Sequence, residues 1–256
     1  MKVLKIKMHS FFEYNAPPIE TGLPSPVIER HNNFLVVRDD LLPGGTKRRF
    51  LYRFLKAQPH VKEWVYASPR VGYAQVALAH TAKDLGLKGT VVIPKGEHFH
   101  LTTEALELGA NVVEVPMGFL THIQHVAKKY VEERDGAQLL PFGLDHPVII
   151  DEIARIASSL PVKPKEVWTC ISSGVLSRGL QKAWPDAKVY GVLTGHGTSN
   201  KERGRAEVIK STYKFNQKCK DEEKPPFPSS DYYDSKVWSI MNKLGSKDAL
   251  FWNVGA

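Results

Sequence analysis

Short strands rich in valine and isoleucine alternate with amphipathic helices along most of this chain. The strand segments read as continuous apolar runs, and the segments between them carry apolar residues at three-and-four spacing. The predicted strands of this series are Glu63–Ala67, Thr90–Ile93, Asn111–Val115, Gln138–Pro141, Glu166–Ile171 and Lys188–Leu193. The predicted helices are Tyr73–Leu85, Thr102–Leu108, Phe119–Arg134, Val148–Leu160 and Ser173–Trp184. Such alternation favours right-handed crossovers and an α/β fold in two lobes, each with a mostly parallel twisted sheet flanked by helices.

The two ends of the chain add further elements to this series. Val27–Arg30 and Phe34–Arg38 read as short strands joined by a turn, and Arg48–Gln58 reads as a helix. Tyr233–Leu244 is a predicted closing helix and Ala249–Trp252 a last strand. The polar, proline-rich segment 195–230 predicts a long loop or loop-bounded helices. The N-terminal run "MKVLKIKMHSFF" alternates lysine with apolar residues, which favours an opening strand.

Composition excludes some classes of protein and leaves others open. No stretch reaches the roughly 18–20 apolar residues of a membrane span, and the N-terminus lacks the features of a signal peptide, so we expect a cytoplasmic protein. The formal net charge is +8 and the pI about 9.3. This excess favours anionic partners, either a phosphate-bearing ligand or nucleic acid.

The cysteines and histidines do not predict a metal site. Cys170 and Cys219 are far apart and match no paired zinc spacing, so we expect reduced thiols. Two histidine pairs have no third or fourth ligand at a convincing spacing. These pairs are His98 with His100 and His122 with His125.

One lysine follows a glycine-rich turn. The stretch "RDDLLPGGTKRRF" (38–50) places Lys47 after Pro43, Gly44 and Gly45, between two apolar segments. Taken alone, Lys47 is either a solvated lysine in a basic run or a reactive amine held where a helix begins. Burial beside other cations would lower its pKa and make it a useful nucleophile.

A second turn has the form of an anion site. Ser172, Ser173 and Gly174 stand between the strand "EVWTCI" and the helix that follows. Exposed amide groups at a helix start bind anions, although a serine there can also act simply as a cap. In open α/β sheets ligands bind beyond the carboxyl ends of strands, where this turn, the Lys47 turn and the loop 68–72 all lie.

Five stretches, in order along nearly the whole chain, resemble the fold-type II pyridoxal-phosphate (PLP) enzymes, in particular the branch of 1-aminocyclopropane-1-carboxylate (ACC) deaminase and D-cysteine desulfhydrase. They are "VVRDDLLPGGTKRRFLY", "RVGYAQVALAHTAKDLGLKGTVVIP", "ELGANVVEVP" with "LLPFGLDHP", "CISSGVLSRGLQKAWPDAKVYGVLTG" and "DYYDSKVWSIMNKLGSKDALFWNVGA". The resemblance implies a smaller domain of residues 58–147 and a larger cofactor-binding domain of 1–57 with 148–256. It also implies a homodimer.

The resemblance implies a Schiff base between Lys47 and PLP, and a phosphate loop formed by Ser172, Ser173, Gly174 and Ser177. This loop reads Ser-Ser-Gly-Val-Leu where the family has Gly-Ser-Gly-Gly-Thr, with Leu176 at the usual threonine. We therefore expect an altered but usable cofactor site.

Further roles implied by the resemblance concern the cofactor ring and the substrate. Tyr73 and Tyr233 are the expected catalytic tyrosines, and Asn253, beside Val254, is expected near the ring nitrogen. The expected substrate-binding residues are Ser68, Arg70 and Gln75, in a segment that departs from the family pattern. The loop with Asp145 and His146 is expected to border the site.

Three functions stay open at this point. The first is a PLP-dependent lyase, deaminase or decarboxylase acting on an amino-acid-type amine, with Lys47 as the proton carrier. The second is a PLP enzyme acting on an amino-acid adduct attached to DNA, as in phage DNA modification, because the chain is compact and basic and its carboxylate-binding residues are changed. The third is a binding protein of the same fold that has lost catalysis.

Overall fold

The fold is α/β with two sheets, as the sequence predicts. A computed structural model describes residues 21–194 and 197–256, and the predicted N-terminal strand lies outside them. The strands are β1 (Ile28–His31), β2 (Phe34–Arg38), β3 (Glu63–Ala67), β4 (Lys88–Pro94), β5 (Asn111–Val115), β6 (Ala137–Leu139), β7 (Glu166–Ile171), β8 (Lys188–Leu193), β9 (Glu207–Lys210) and β10 (Leu250–Asn253). The helices are α1 (Gly45–Lys56), α2 (Ala74–Leu85), α3 (His100–Glu107), α4 (Leu120–Glu132), α5 (Pro147–Ser158), α6 (Val175–Ala183), α7 (Asn200–Arg203) and α8 (Asp234–Leu244).

Within residues 21–194 and 197–256, the larger sheet has six strands in the order β1-β2-β10-β7-β8-β9. All its pairs are parallel except β1 with β2, which form an antiparallel hairpin. The last strand of the chain, β10, lies between β2 and β7, with Phe251 opposite Val36 on one side and Trp168 on the other. Segments from the beginning and the end of the described chain therefore meet in the centre of this sheet.

The described part of the chain forms a smaller sheet of four parallel strands in the order β5-β4-β3-β6. Every residue of β3 is buried, as expected for a central parallel strand covered on both faces. The strand membership is compatible with the division into residues 58–147 and 1–57 with 148–256, which stays a prediction.

The apolar core is continuous beneath the facing ends of the two sheets. Helix α1 packs against α2 and α5, and α5 packs against α6. Trp64 of the smaller sheet and Trp252 of the larger sheet belong to one buried cluster, together with Phe50 and Leu51 of α1. Residues of both sheets therefore share one apolar core.

Two parts of the sequence prediction need correction. Helix α1 begins at Gly45 rather than Arg48, because Gly44 takes the left-handed conformation (φ +82°) that turns the chain into the helix. Lys47 is therefore inside the first helical turn. The predicted loop 195–230 contains the edge strand β9, whose short alternating pattern is hidden between charged segments.

Among residues 21–194 and 197–256, we find no helix with the length and apolar character needed to cross a membrane.

Candidate active site

A cleft opens where the carboxyl ends of strands from both sheets meet. Its walls come from the segments that follow β3, β6, β7 and β10, and from the first turns of α1 and α8. The space between its walls amounts to about 900 Å³, a figure that includes open solvent at the mouth. Lys47, Asp234 and Gly174 all line it, so the Lys47 turn and the serine-glycine turn predicted from the sequence face one cavity.

A buried hydrogen-bond network fixes the helical turn that carries Lys47. The hydroxyl of Thr46 donates to Asp39 Oδ2 over 2.6 Å, and Arg49 Nε donates to Asp39 Oδ1 over 2.7 Å. The indole N–H of Trp252 donates to Thr46 Oγ1 over 2.9 Å. Asp39 is thus a local charge partner in this turn, and its bonds hold the start of α1 against the last strand.

Lys47 lies in surroundings that favour its neutral amine. Burial lowers the pKa of Lys47, while the neighbouring Cys170 and Asp234 act in the opposite direction. The positive end of the α1 dipole also disfavours a cation in the first turn. A lysine with a lowered pKa is a better nucleophile at neutral pH than a solvated one. Of the two interpretations of the sequence, the structure thus favours the reactive amine.

Asp234 is a buried acid beside Lys47. Burial raises the pKa of Asp234 to about 7, although Lys47, the Cys170 thiol and the backbone N–H of Val254 all favour its charged form. Its Oδ1 is buried and has no hydrogen-bond partner among the described residues. Because buried polar atoms are normally paired, this oxygen is available to accept a hydrogen bond from a donor that the described residues do not supply.

The serine-glycine turn forms one end of the cleft. Helix α6 begins at Val175, so Ser172, Ser173 and Gly174 form the loop before it rather than its first turn. Ser173 Oγ donates to the carbonyl of Gly143 over 3.1 Å. Gly174 has a φ of +72°, and a Cβ there would stand 1.9 Å from the carbonyl oxygen of Glu202. The loop therefore exposes amide groups at a helix N-terminus, an arrangement that suits a phosphate.

Aromatic side chains form the walls of the cleft. Tyr73 and Tyr233 both line it, as the resemblance implied, and Tyr66 joins them. Burial raises the pKa of all three phenols, that of Tyr66 to about 12. They therefore stay protonated at neutral pH and act as hydrogen-bond donors and packing surfaces. The backbone N–H of Gly143 donates to Tyr66 Oη over 3.3 Å.

The predicted substrate-binding residues do not line the cleft. Ser68 is buried and donates to the carbonyl of Pro69 over 2.9 Å. Gln75 is also buried, donates to the carbonyls of Pro69 and Arg70, and accepts from Thr102. The guanidinium of Arg70 donates to the carbonyl of Glu97. Ser68 and Gln75 thus support the loop 68–72 from behind, while Arg70 lies outside the cavity.

Two predicted cofactor-binding residues are also engaged elsewhere. Ser177 is buried and accepts a hydrogen bond from Gln181 over 2.9 Å. The Asn253 amide donates to Asp40 and to the carbonyl of Pro228, which uses both of its N–H bonds. Neither side chain lines the cleft. Their assignment to the cofactor stays a prediction, and the lining residue beside Asn253 is Val254.

The loop with Asp145 and His146 has structural contacts. Asp145 lies 2.9 Å from Arg178 of α6, and His146 Nδ1 accepts the Val148 N–H at the start of α5.

Sequence reasoning missed Asp234 and Cys170. Asp234 directly follows Tyr233 at the start of a helix, where an acid is commonly only a favourable partner of the helix dipole. Cys170 is the fifth residue of β7 and reads as a strand residue. Both cysteines are free thiols, and the described residues contain no group of three or more potential metal-ligating side chains.

Solved structures share this fold over almost the whole chain. A crystal structure of an ACC deaminase homologue has a TM-score of 0.80, with 16% identity, and the match covers 94% of this chain and 92% of that one. A threonine deaminase from T.th. has a TM-score of 0.69 at 18% identity, covering 87% and 86%. A fungal L-serine ammonia-lyase from Rhizomucor miehei has 0.68 at 15%, covering 91% and 94%. The resemblance read from the sequence is confirmed, since the chain has the fold of the fold-type II PLP enzymes.

One curated protein is similar in sequence from end to end. It belongs to Pseudomonas phage M6 and is described as a glycyl-dTMP PLP-dependent decarboxylase. It is 27% identical over 293 aligned positions, which cover 94% of this chain and 99% of the phage protein. No family model matches the chain.

Proposed function

We propose that the protein is a PLP-dependent decarboxylase that acts on a glycyl unit attached to a thymidine nucleotide. The observation that carries this proposal is the end-to-end similarity to the phage M6 decarboxylase, in a chain whose cleft brings Lys47 and Asp234 together. The protein thus corresponds to the second function that the sequence left open, a PLP enzyme acting on an amino-acid adduct of DNA.

The residues of the cleft fit PLP at both ends. Ser172, Ser173 and Gly174 would hold the phosphate through loop amides and hydroxyls, and Lys47 would bind the aldehyde carbon. The unpaired, buried Oδ1 of Asp234 would accept a hydrogen bond from the protonated ring nitrogen. This assignment replaces the expected residues beside β10, since Asn253 Oδ1 already accepts from Ser229 Oγ and Val254 offers no side-chain acceptor. When bound, PLP takes up the electron pair left on an α-carbon after one of its bonds breaks.

The lining of the cleft favours loss of a carboxylate over its retention. Among the described residues that line it, the one cation is Lys47, and many of the others are apolar, including Phe50, Phe142 and Leu176. A carboxylate in these surroundings is poorly solvated, which destabilises it relative to departing CO2. In the reaction the bond between the α-carbon and the carboxyl carbon breaks, CO2 leaves, and a proton is added to the α-carbon.

In this mechanism Lys47 supplies that proton. Because burial lowers the pKa of Lys47, its ammonium form is a stronger acid than that of a solvated lysine and gives up a proton more readily. The tyrosines Tyr73 and Tyr233 keep their protons and orient the bound groups. Cleavage and proton return consume no oxidant or reductant.

The test is turnover of a defined substrate by the purified holoenzyme. An oligonucleotide carrying one glycyl-modified thymidine should lose the mass of CO2, and Lys47→Ala should abolish the loss. Release of ammonia instead would establish the deaminase alternative. The structural similarity to an ACC deaminase homologue and to threonine deaminase is the observation in favour of that alternative. Cofactor binding without turnover of any amine would establish the binding-protein alternative.

A further inference from the structure

Cationic and aromatic side chains form a row beside the cleft. The guanidinium carbon of Arg70 lies 4.9 Å from the centre of the Phe99 ring. The Phe99 and Tyr232 rings are 6.4 Å apart and nearly perpendicular, at 82°. Lys218 Nζ lies 5.8 Å from the centre of the Tyr232 ring. We call these four residues the cation-aromatic row.

Two members of the row are sequence neighbours of residues that line the cleft. Arg70 lies between Pro69 and Gly72, which both line the cavity, and Tyr232 directly precedes Tyr233, which lines it as well. Arg70 and Phe99 belong to the chain segment of the smaller sheet, and the other two to the segment of the larger sheet. The contact between Phe99 and Tyr232 therefore joins the two segments next to residues of the cavity wall.

The side chains of the row are at least partly accessible, and Arg70 and Lys218 give it a positive charge. Arg70, Phe99 and Tyr232 are half-buried, and the Lys218 side chain is 63% exposed. Arg70 donates to a backbone carbonyl, a bond that leaves its charge uncancelled. Asp231 lies 3.8 Å from Lys218 but only 2.9 Å from Lys224, so it balances Lys218 only in part.

Among the described residues that line the cleft, no cation other than Lys47 is available for the phosphates of a nucleic acid. Lys47 is the one cation among its described lining residues, and the proposed function uses it for the cofactor. The serine-glycine loop is likewise used for the cofactor phosphate. Phosphates of a DNA strand attached to the substrate must therefore be bound outside the cavity, where the row offers cations for phosphates and rings for bases.

We propose that the cation-aromatic row binds the single strand of DNA next to the modified thymidine. This inference rests on the proposed function for the identity of the substrate. The glycyl α-carbon has to reach Lys47 inside the cleft, which requires the modified thymidine to leave the base stack, so the strand beside it is open to contact with aromatic rings. Arg70 and Lys218 contact phosphates, and Tyr232 and Phe99 stack against a neighbouring base.

The binding test uses a fluorescent single-stranded oligothymidine and the holoenzyme, with anisotropy measured over a salt series. Lys218→Gln and Arg70→Gln should each lower the steepness of log K against log salt by roughly 0.7, the value for one phosphate contact on a single strand. Tyr232→Ala should weaken binding about tenfold at constant salt with the steepness unchanged. Arg70→Lys keeps the positive charge but changes the contacts of the guanidinium with the loop. It should therefore retain the salt dependence of the wild type.

Lys128→Gln is the matched control. Lys128 is an exposed lysine of α4, with 66% of its side chain accessible, and its loss should leave binding unchanged. Equal weakening by Lys128→Gln would show a diffuse charge effect and overturn the proposal. Wild-type binding in the Arg70, Lys218 and Tyr232 variants would overturn it as well.

A second arm separates this inference from the proposed function. The variants of the row should decarboxylate a glycyl-thymidine nucleoside, which has no phosphate, with wild-type kcat and KM, but show about a tenfold higher KM for the modified oligonucleotide. If the variants and the wild type turn over both substrates with equal KM, the assignment of DNA binding to the row is overturned, and the proposed function is not affected. Failure of the wild type to release CO2 from either substrate would overturn the proposed function, while the oligothymidine measurements would still report on the row.

Discussion

The indole N–H of Trp252 donates a hydrogen bond to the hydroxyl of Thr46 over 2.9 Å. This bond joins the last strand of the chain to the residue before Lys47, across 206 positions of sequence. The backbone N–H of Thr46 also donates to the carbonyl of Val254 over 2.9 Å. The final strand and the residue after it therefore hold the helical turn that places Lys47 in the wall of the cleft.

We expect Thr46→Val to destabilise the protein by about 2 kcal/mol, because it leaves the buried indole N–H without its closest acceptor and removes a donor to Asp39. Urea unfolding measures the difference. Thr103→Val is the control, since the Thr103 hydroxyl is exposed and makes only a 3.4 Å contact with a carbonyl; its effect should stay within about 0.5 kcal/mol. Equal effects of the two substitutions would contradict the role of the network.

Borohydride reduction of the holoenzyme should attach the cofactor to Lys47 and leave Lys236 unmodified. Both lysines have a lowered pKa because of burial, and that of Lys236 is about 8. Lys236 Nζ, however, donates to the carbonyls of Lys214 and Phe215, and it does not line the cleft. Peptide mapping by mass spectrometry identifies the labelled residue. Label on Lys236, or an unchanged cofactor spectrum in Lys47→Ala, would rule out our assignment.

The buried carboxyl of Asp234 should make stability of the cofactor-free protein fall as pH rises. Its folded-state pKa, about 7, is above the ordinary value of 3.8, so the native state binds the proton more tightly than the unfolded state between these values. By linkage, the free energy of unfolding then decreases from about pH 4 to pH 7 through this group.

Asp234→Asn removes that dependence. We expect the variant to be more stable than the wild type above pH 7, by more than about 1 kcal/mol, with a difference that shrinks as pH falls. Thermal unfolding of the cofactor-free proteins at about pH 5 and about pH 8, on either side of the folded-state pKa, measures it. The same variant should bind PLP more weakly, because the acceptor assigned to the ring nitrogen is lost. A constant stability difference at both pH values would show that Asp234 titrates normally.

Gly174→Ala should weaken cofactor binding and stability together. The residue has a φ of +72°, and a Cβ would stand 1.9 Å from the backbone oxygen of Glu202, so the loop must shift. We expect a loss of about 2 kcal/mol or more in the free energy of unfolding, because alanine is strained at this positive φ and its Cβ would also overlap the carbonyl oxygen of Glu202. Gly118→Ala is the control, because a Cβ there meets only the flexible His122 side chain, at 3.5 Å or more. Wild-type affinity for PLP in Gly174→Ala would exclude this loop as the phosphate site.

The alternation of apolar strands and amphipathic helices determined the fold class and most element boundaries. The period of apolar residues is a local property of the chain, and it is strong in segments such as β3, β7 and β8, whose predicted bounds equal the observed ones. The turn before Lys47 and the serine-glycine turn were also readable, because glycine and serine there serve local backbone requirements.

Only the tertiary structure decided which side chains face the cleft. Asp234 became a candidate because helix α8 brings it against Lys47 and Cys170, a contact between segments far apart in sequence. Ser68, Gln75 and Asn253 do not line the cavity because each forms hydrogen bonds within the wall behind it. Side-chain direction at the ends of strands depends on packing between the two sheets, and packing of that kind leaves no periodic pattern in the sequence.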